Sequence, residues 1–125
     1  MCLSTVSQIN KKPNYTIKHG WKLFKVKDGQ LKFQYRSISG KRCNQTHNDN
    51  VPINQWLNRT VGRIFSNVDH RFYPKGFHVF SSRRECRSMK QYNTIVKKVK
   101  VNGVLAEGVD TYRNVLICDK ILVCP

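Results

Sequence analysis

The sequence predicts an α+β fold: a single domain in which a mainly antiparallel sheet is accompanied by about two helices. Asp28-Gly29 and Asn102-Gly103 each separate two apolar runs, and both dipeptides are typical of tight β-hairpin turns. Residues 53–64 carry apolar side chains at helical spacing, and a second helix is predicted after position 82. The 125 residues, 39% of them hydrophobic, suffice for one folded core.

Residues 1–20 are polar, include Pro13 and show no periodicity. They predict a loose N-terminal arm, because their sequence shows no apolar pattern that would form a buried face. The folded domain is therefore expected to span residues 21–125.

The first hairpin is predicted to pair residues 21–26 with residues 31–36 around the Asp28-Gly29 turn. A two-residue turn sets the register of the strands. The expected opposite pairs are Lys27 with Gln30, Val26 with Leu31, Lys25 with Lys32, and Phe24 with Phe33.

Alternation along these strands assigns every side chain to one of two faces. The face expected in the core carries Phe24, Val26, Leu31, Phe33 and Tyr35. The opposite face carries Lys25, Lys27, Lys32 and Arg36 with Trp21 and Leu23. Directly opposed lysines repel each other, which makes this second face a candidate anion-binding surface.

The next elements follow from local composition. Residues 37–50 are rich in Ser, Gly and Asn and predict a long loop, and residues 53–64 predict a helix even though Gly62 weakens it. A turn at residues 73–76 leads into a short strand at 77–80.

The C-terminal third is expected to begin with a helix over residues 83–92, capped by Ser82 with Glu85 at capping-box spacing. Residues 95–101 and 104–107 then predict a second hairpin around Asn102-Gly103. Residues 114–123 supply a last apolar strand.

Charge is the strongest functional signal in the chain. There are 23 Lys and Arg against 7 Asp and Glu, a formal net charge of +16. Residues 11–42 hold ten cations opposed by Asp28, and residues 71–100 hold nine opposed by Glu85. Such self-repulsion costs stability, so we expect a polyanionic partner, above all nucleic acid.

Other features of the sequence indicate where the protein works. No apolar run approaches the length of a transmembrane helix, and the first twelve residues lack the apolar stretch of a signal peptide. The five cysteines are an odd set without metal-knuckle spacing, which favours reduced thiols. We therefore expect a cytosolic protein that contacts no membrane and needs no cofactor or metal.

The candidate nucleic-acid-binding residues form two groups and a connecting loop. Arginines at the start of the helix at 83–92 are disfavoured by the helix dipole, and a docked phosphate would remove that conflict. The hairpin group is Trp21, Lys25, Lys27, Lys32 and Arg36. The loop contributes Lys41 and Arg42, and the helix contributes Ser82, Arg83, Arg84, Arg87 and Lys90.

Catalytic alternatives are weaker. His78 could lie near Ser81 and Ser82, but no carboxylate has a fixed sequence relationship to it, and we expect it on the sheet face opposite the core, half-exposed. Cys2 would become the N-terminal nucleophile if Met1 were removed. A zinc site built from Cys43, His47, Cys118 and Cys124 is conceivable, although no pair has knuckle spacing.

The motif YPKGFHVF at positions 73–80, together with GWKLF at positions 20–24, resembles small uncharacterised proteins of bacteriophages and bacterial mobile elements. The resemblance covers roughly residues 20–123 and implies an origin rather than a mechanism. By analogy of context, it implies an accessory role against host defence or expression machinery, including inhibition of CRISPR effectors.

Together these observations favour a non-enzymatic nucleic-acid-binding protein. RNA or single strands are favoured over duplex DNA, because a basic sheet face with an aromatic residue is predicted and a helix-turn-helix is not. The target could be free nucleic acid or the RNA of a host ribonucleoprotein. The alternatives are an acidic protein partner, a nonspecific condensing protein, and a small nucleotide- or nucleic-acid-modifying enzyme that uses His78.

Overall fold

The structure is a computed structural model that describes residues 3–33, 50–59, 61–66 and 68–125. These residues form nine strands and a six-residue helix. The elements in chain order are β1 (Thr5–Asn14), β2 (Lys18–Lys27), β3 (Gln30–Phe33), β4 (Trp56–Asn58), β5 (Arg63–Phe65), β6 (Phe72–Pro74), β7 (Phe77–Phe80), α1 (Arg83–Ser88), β8 (Thr94–Asp110) and β9 (Arg113–Val123).

Seven of the strands form one antiparallel sheet, and β5 and β6 form a separate hairpin. In the large sheet β8 pairs with β2, β2 with β7, β7 with β9, and β9 pairs again with β8. The four strands therefore close into a ring. The remaining strands, β1, β3 and β4, extend it from β8, β2 and β9. The domain is mainly β rather than the predicted mixture of sheet and two helices.

Two apolar cores lie on the two faces of this sheet. The inner core is enclosed by the ring and includes Phe24, Phe77 and Val99. The outer core lies on the other face beneath α1 and the β5–β6 hairpin, which contribute Cys86 and Tyr73. Because antiparallel partners directly opposite each other share a face, one register decides which side chains enter which core.

The first hairpin confirms the predicted register, but Val26, which was expected in the core, is exposed near the turn. Strands β2 and β3 pair with the four expected opposite pairs, and Asp28 and Gly29 take φ values of 52° and 74°. Two successive positive φ angles are the requirement of a type I′ turn. Phe24 and Phe33 are buried in the inner core as expected, whereas Tyr35 and Arg36 lie outside the described residues.

The predicted second hairpin is wrong. Residues 94–110 form the single strand β8, which continues through Asn102-Gly103 with a register irregularity between Val104 and Ala106. Gly103 has a φ of 80°, but Asn102 does not have a positive φ, so the pair bends the strand without reversing it. The reversal comes later, where Thr111 and Tyr112 take φ values of 46° and 69° between β8 and β9.

The N-terminal segment is also more ordered than predicted. Strand β1 pairs with the second half of β8, from Thr5 opposite Val109 to Asn14 opposite Val104, and β2 already begins at Lys18. Leu3 and Val6 are buried in the outer core. The few apolar residues of the segment are enough, because the second half of β8 offers a free edge that pairs with residues 5–9 and with Asn14.

Residues 53–64 do not form the predicted helix. They contribute strand β4 and the start of β5, and the apolar residues assigned to one helical stripe separate. Leu57 packs on the inner core and Ile64 on the outer core, while Val61 is exposed. The apolar stripe of one helix packs against a single core. Two short strands can place Leu57 and Ile64 in the two cores on opposite faces of the sheet.

The helix predicted for residues 83–92 is shorter than expected. It ends at Ser88, and a turn closed by hydrogen bonds between Gln91 and the Thr94 hydroxyl leads into β8. The predicted strands at 77–80 and 114–123 are confirmed as β7 and β9. Within the predicted turn at 73–76, Tyr73 and Pro74 belong instead to β6. No helix among the described residues has the length and apolarity needed to cross a membrane.

Substituting alanine for Gly103 should reveal how much the fold depends on the bend in β8. A Cβ at this position would lie 2.8 Å from the Tyr15 ring and 3.0 Å from Asp119 Cβ, and the φ of 80° is itself unfavourable for alanine. We expect Gly103→Ala to reduce the free energy of unfolding by about 2 kcal/mol or more in urea denaturation.

Gly29→Ala is the matched control, because Gly29 has a similar φ of 74° and nothing lies within 4 Å of its added Cβ. This variant should show only the conformational cost of about 1 kcal/mol. Equal losses in the two variants would contradict a tight bend at Gly103.

Candidate nucleic-acid interface

The outer face of β2 and β8 carries a basic surface. His19, Trp21 and Lys25 lie on this face of β2, and the strand pairing places Lys100 opposite His19 and Lys98 opposite Trp21. On the other side of β2, Lys32 lies opposite Lys25. We call Lys25, Lys27, Lys32, Lys98 and Lys100, with Trp21, the outer basic face.

Helix α1 packs on the same face of the sheet. It contacts β2, β7 and β8, and its Cys86 joins Leu23 of β2 in the outer core. This packing explains why Leu23 is fully buried although its neighbours Lys25 and Lys27 are exposed. The two candidate groups, on the hairpin and on the helix, therefore lie on one side of the sheet, as a shared binding surface requires.

The exposed side of α1 is cationic. Arg83, Arg84 and Arg87 line an open depression of about 340 Å³, and Lys90 is exposed just beyond the helix. Ser82 caps the helix by accepting a hydrogen bond from the Glu85 backbone N–H at 3.4 Å. With six residues the helix is too short for its dipole to make an anion site, so the expected phosphate site at its start has no support beyond the arginines themselves.

Acidic side chains are engaged elsewhere in the fold. Within the described ranges, the ion pair closer than 4 Å joins Arg59 to Asp119, with Nε and Oδ1 3.0 Å apart. Glu85 does not complete the predicted capping box, because its carboxylate accepts a hydrogen bond from the Asn114 backbone at 3.1 Å. Glu107 lies in the second half of β8, opposite Leu116 on one side and Gln8 on the other. The outer basic face is thus not neutralised by these carboxylates.

The structure adds residues to the sequence-derived set and leaves others outside it. Arg36, Lys41 and Arg42 lie outside the described residues. Lys98 and Lys100 were missed, although their i, i+2 spacing on a strand places them on one face. Their proximity to Trp21 depends on the pairing of β2 with β8, a contact between distant segments that no local pattern encodes.

His78 is buried, not half-exposed as predicted. Strand β7 lies under β6, whose Tyr73 ring centroid is 6.3 Å from that of His78, and only 1% of the histidine surface is accessible. Neither ring nitrogen has a hydrogen-bond partner of normal geometry among the described residues. Burial, and secondarily the charge of Lys22, lowers the pKa of His78 well below 6.5. No substrate reaches this ring in the present conformation.

Lys22 is a second buried polar residue, on the inner face of β2. Only 2% of its surface is accessible, and its Nζ donates a 2.8 Å hydrogen bond to the backbone carbonyl of His78. The same amine lies 6.0 Å from the centroid of the Phe33 ring. This lysine contributes to the interior of the ring and not to the outer basic face.

Two of the described cysteines, Cys86 and Cys118, are buried free thiols, whereas Cys124 is half-buried. Burial raises the pKa of Cys86 and of Cys118 to about 12, so both thiols are protonated at neutral pH. Cys2, Cys43 and His47 lie outside the described residues. In the part of the chain that is described, no three His, Cys, Asp or Glu side chains are grouped as a metal ion would require.

Comparisons with known proteins add no assignment. No protein-family model, curated protein or solved structure matches this chain.

The buried histidine makes stability depend on pH. Because the folded-state pKa lies below 6.5, the unfolded chain binds more protons as the pH falls, and stability that is complete above pH 6.5 is progressively lost below it. We expect a loss of about 1.4 kcal/mol per pH unit, measured by urea unfolding between pH 7.5 and 5.

His78→Leu should abolish this slope and keep or raise stability at pH 7.5, because it removes two buried ring nitrogens that have no hydrogen bond of normal geometry among the described residues. His70→Gln, at an exposed histidine, is the control and should retain the wild-type slope. An unchanged slope in His78→Leu would contradict the assignment of the pH dependence to this residue.

Proposed function

We propose that this protein binds nucleic acid, RNA in preference to duplex DNA, and catalyses no reaction. The observation that carries the proposal is the outer basic face, where Lys25, Lys32, Lys98 and Lys100 lie around Trp21 on the side of the sheet that α1 covers. Helix α1 adds three exposed arginines to this side. Phosphates bridging these cations would offset their mutual repulsion.

Electrostatics favours a polyanion over a single small anion. The cations are distributed over two strands and a helix, and Lys25 and Lys32 lie directly opposite each other. Like charges in such a pair destabilise a sheet unless a counter-charge lies across them. A chain of phosphates supplies a counter-charge at each position, and its binding releases condensed counterions.

The shape of the face favours RNA or single strands. A sheet surface with cations around a partly exposed tryptophan resembles the platforms on which unpaired bases stack. The helix has six residues and packs through Cys86 on the outer core, so it is too short and too firmly seated to enter a major groove.

The partner in the cell is proposed from the resemblance in sequence. An accessory protein of a phage or mobile element would meet host RNA in the bacterial cytosol. A host defence ribonucleoprotein of the CRISPR type would present that RNA together with acidic surfaces. An inhibitor of this kind needs tight binding and no chemistry, in keeping with the burial of His78.

Charge neutralisation tests the proposal. In Lys25→Ala/Arg87→Ala, two phosphate contacts are removed, so the slope of log K against log salt for a single-stranded RNA should fall in magnitude by about 1.4. The matched control is Lys11→Ala/Lys12→Ala on β1, which makes the same change in net charge at two exposed lysines.

The control should leave the slope within error of the wild type, as measured by fluorescence anisotropy at several salt concentrations. Equal effects of the two double variants would mean that only net charge matters, as in a nonspecific condensing protein. No salt-dependent binding by the wild-type protein would refute the proposed function and redirect the search to an acidic protein partner.

A further inference from the structure

The β5–β6 hairpin carries a row of exposed ring systems that the outer basic face does not include. Phe65 lies opposite Phe72, with ring centroids 4.7 Å apart, and the centroid of the His70 ring is 5.6 Å from that of Phe65. The Arg63 guanidinium lies 5.3 Å from the centroid of Phe72. We call Phe65, Phe72 and His70 the aromatic row.

The exposure of these rings is not explained by folding. Phe65 is 43% exposed and Phe72 is 57% exposed, while Ile64 and Tyr73, their neighbours on the opposite face of the hairpin, pack in the outer core. Single exposed apolar side chains are common, but adjacent exposed rings form a patch, and such patches indicate a binding surface.

The hairpin holds the aromatic row firmly in place. The backbone of Leu3 donates a 2.9 Å hydrogen bond to the Tyr73 hydroxyl. Asp69 accepts hydrogen bonds from the Ser66 hydroxyl and from the Val6 backbone, the latter at 2.8 Å, and these bonds lower its pKa below 3.8. A rigid platform loses little entropy when a ligand stacks on it.

The charges around the aromatic row suit an anionic ligand. Arg63 lies against Phe72, and the exposed Arg71 directly precedes Phe72 in the chain. The nearby acid, Asp69, accepts hydrogen bonds from the Ser66 hydroxyl in the loop and from the Val6 backbone of β1, and the Arg71 guanidinium donates to the Val6 carbonyl. An apolar protein surface has no groups that would pair with these cations. A nucleotide combines a flat ring and a negative charge, and it uses both components of the surface.

We propose that Phe65 and Phe72 stack against unpaired bases of a single-stranded nucleic acid whose phosphates follow the cations of α1. The inference rests on the proposed function and specifies its ligand. The hairpin and α1 cover the same outer core, through Tyr73 and Cys86, so both face solvent on the same side of the sheet. The proposal therefore requires one strand to run across this side of the sheet from the arginines of α1 to the aromatic row.

The test separates stacking from charge. Phe65→Leu/Phe72→Leu removes the rings and keeps an apolar surface, and Phe65→Tyr/Phe72→Tyr is the matched control that keeps the rings. The probes are fluorescent oligouridine of about 12 nucleotides and an RNA duplex of the same length, measured by anisotropy at constant salt.

We expect the leucine variant to lose about 5-fold to 150-fold in affinity for oligouridine for each stacked base, while the tyrosine variant binds like the wild type. Duplex binding should change by no more than about two-fold, because paired bases have no free face for stacking. Circular dichroism and thermal unfolding of both variants verify that the fold is intact.

Three results would overturn the inference. Equal losses for oligouridine and duplex would mean that the hairpin contacts the backbone and not the bases. Unchanged binding of both probes, with Lys25→Ala/Arg87→Ala still defective, would leave the proposed function standing and exclude the aromatic row from it. A change in molar mass by light scattering in the leucine variant, without loss of RNA binding, would identify the row as a self-association contact instead.

Discussion

The bend of strand β8 at Gly103 is the constraint on which the other elements depend. The first half of this 17-residue strand pairs with β2, its second half pairs with β1 along the same edge, and β9 pairs with residues 99–110 along the other edge. A straight strand of this length would extend beyond a small domain. The positive φ of Gly103 turns it, so that β9 can meet β7 and close the ring.

Closure of the ring creates two environments for side chains. The inner face is filled mainly by large apolar residues such as Phe24 and Phe77, and the buried Lys22 also lies on it. The outer face is buried where α1 and the β5–β6 hairpin cover it and remains open to solvent elsewhere. The lysines of the outer basic face lie on its uncovered part, and the arginines of α1 lie on the outward side of the helix.

The few acidic residues are used to build the fold. Asp119 binds Arg59, Asp69 ties the β5–β6 loop to β1, and Glu85 joins α1 to the start of β9. These contacts link elements that are distant in the sequence. Asp69, Asp119 and Glu85 are therefore committed to positions away from the outer basic face, whose cations a polyanion can contact.

Prediction from the sequence succeeded for structure set by neighbouring residues and failed for structure set by the pairing of distant strands. The register of β2 and β3 follows from a turn that both Asp28 and Gly29 can adopt. Prediction of a turn from a dipeptide failed at Asn102-Gly103, because pairing with β9 holds Asn102 in the strand. It also missed the turn at Thr111-Tyr112, whose positive φ values are imposed by the strands they connect. Lys25 and Lys32 were found from the sequence, whereas Lys98, Lys100 and the aromatic row depend on contacts that no local pattern reveals.

The β5–β6 hairpin and α1, which cover the outer core, each have one side that packs on the sheet and one side that faces solvent. In the β5–β6 hairpin, alternation sends Ile64 and Tyr73 into the outer core and Phe65 and Phe72 to solvent. In α1, Cys86 faces the core while Arg83 and Arg87 face outward. The inward side chains, together with the hydrogen bonds of Asp69 and Glu85, hold these elements on the sheet. Folding does not explain why the outward side chains are aromatic on the β5–β6 hairpin and cationic on α1. The proposed ligand, an unpaired nucleic acid strand, has bases that stack on rings and phosphates that pair with cations.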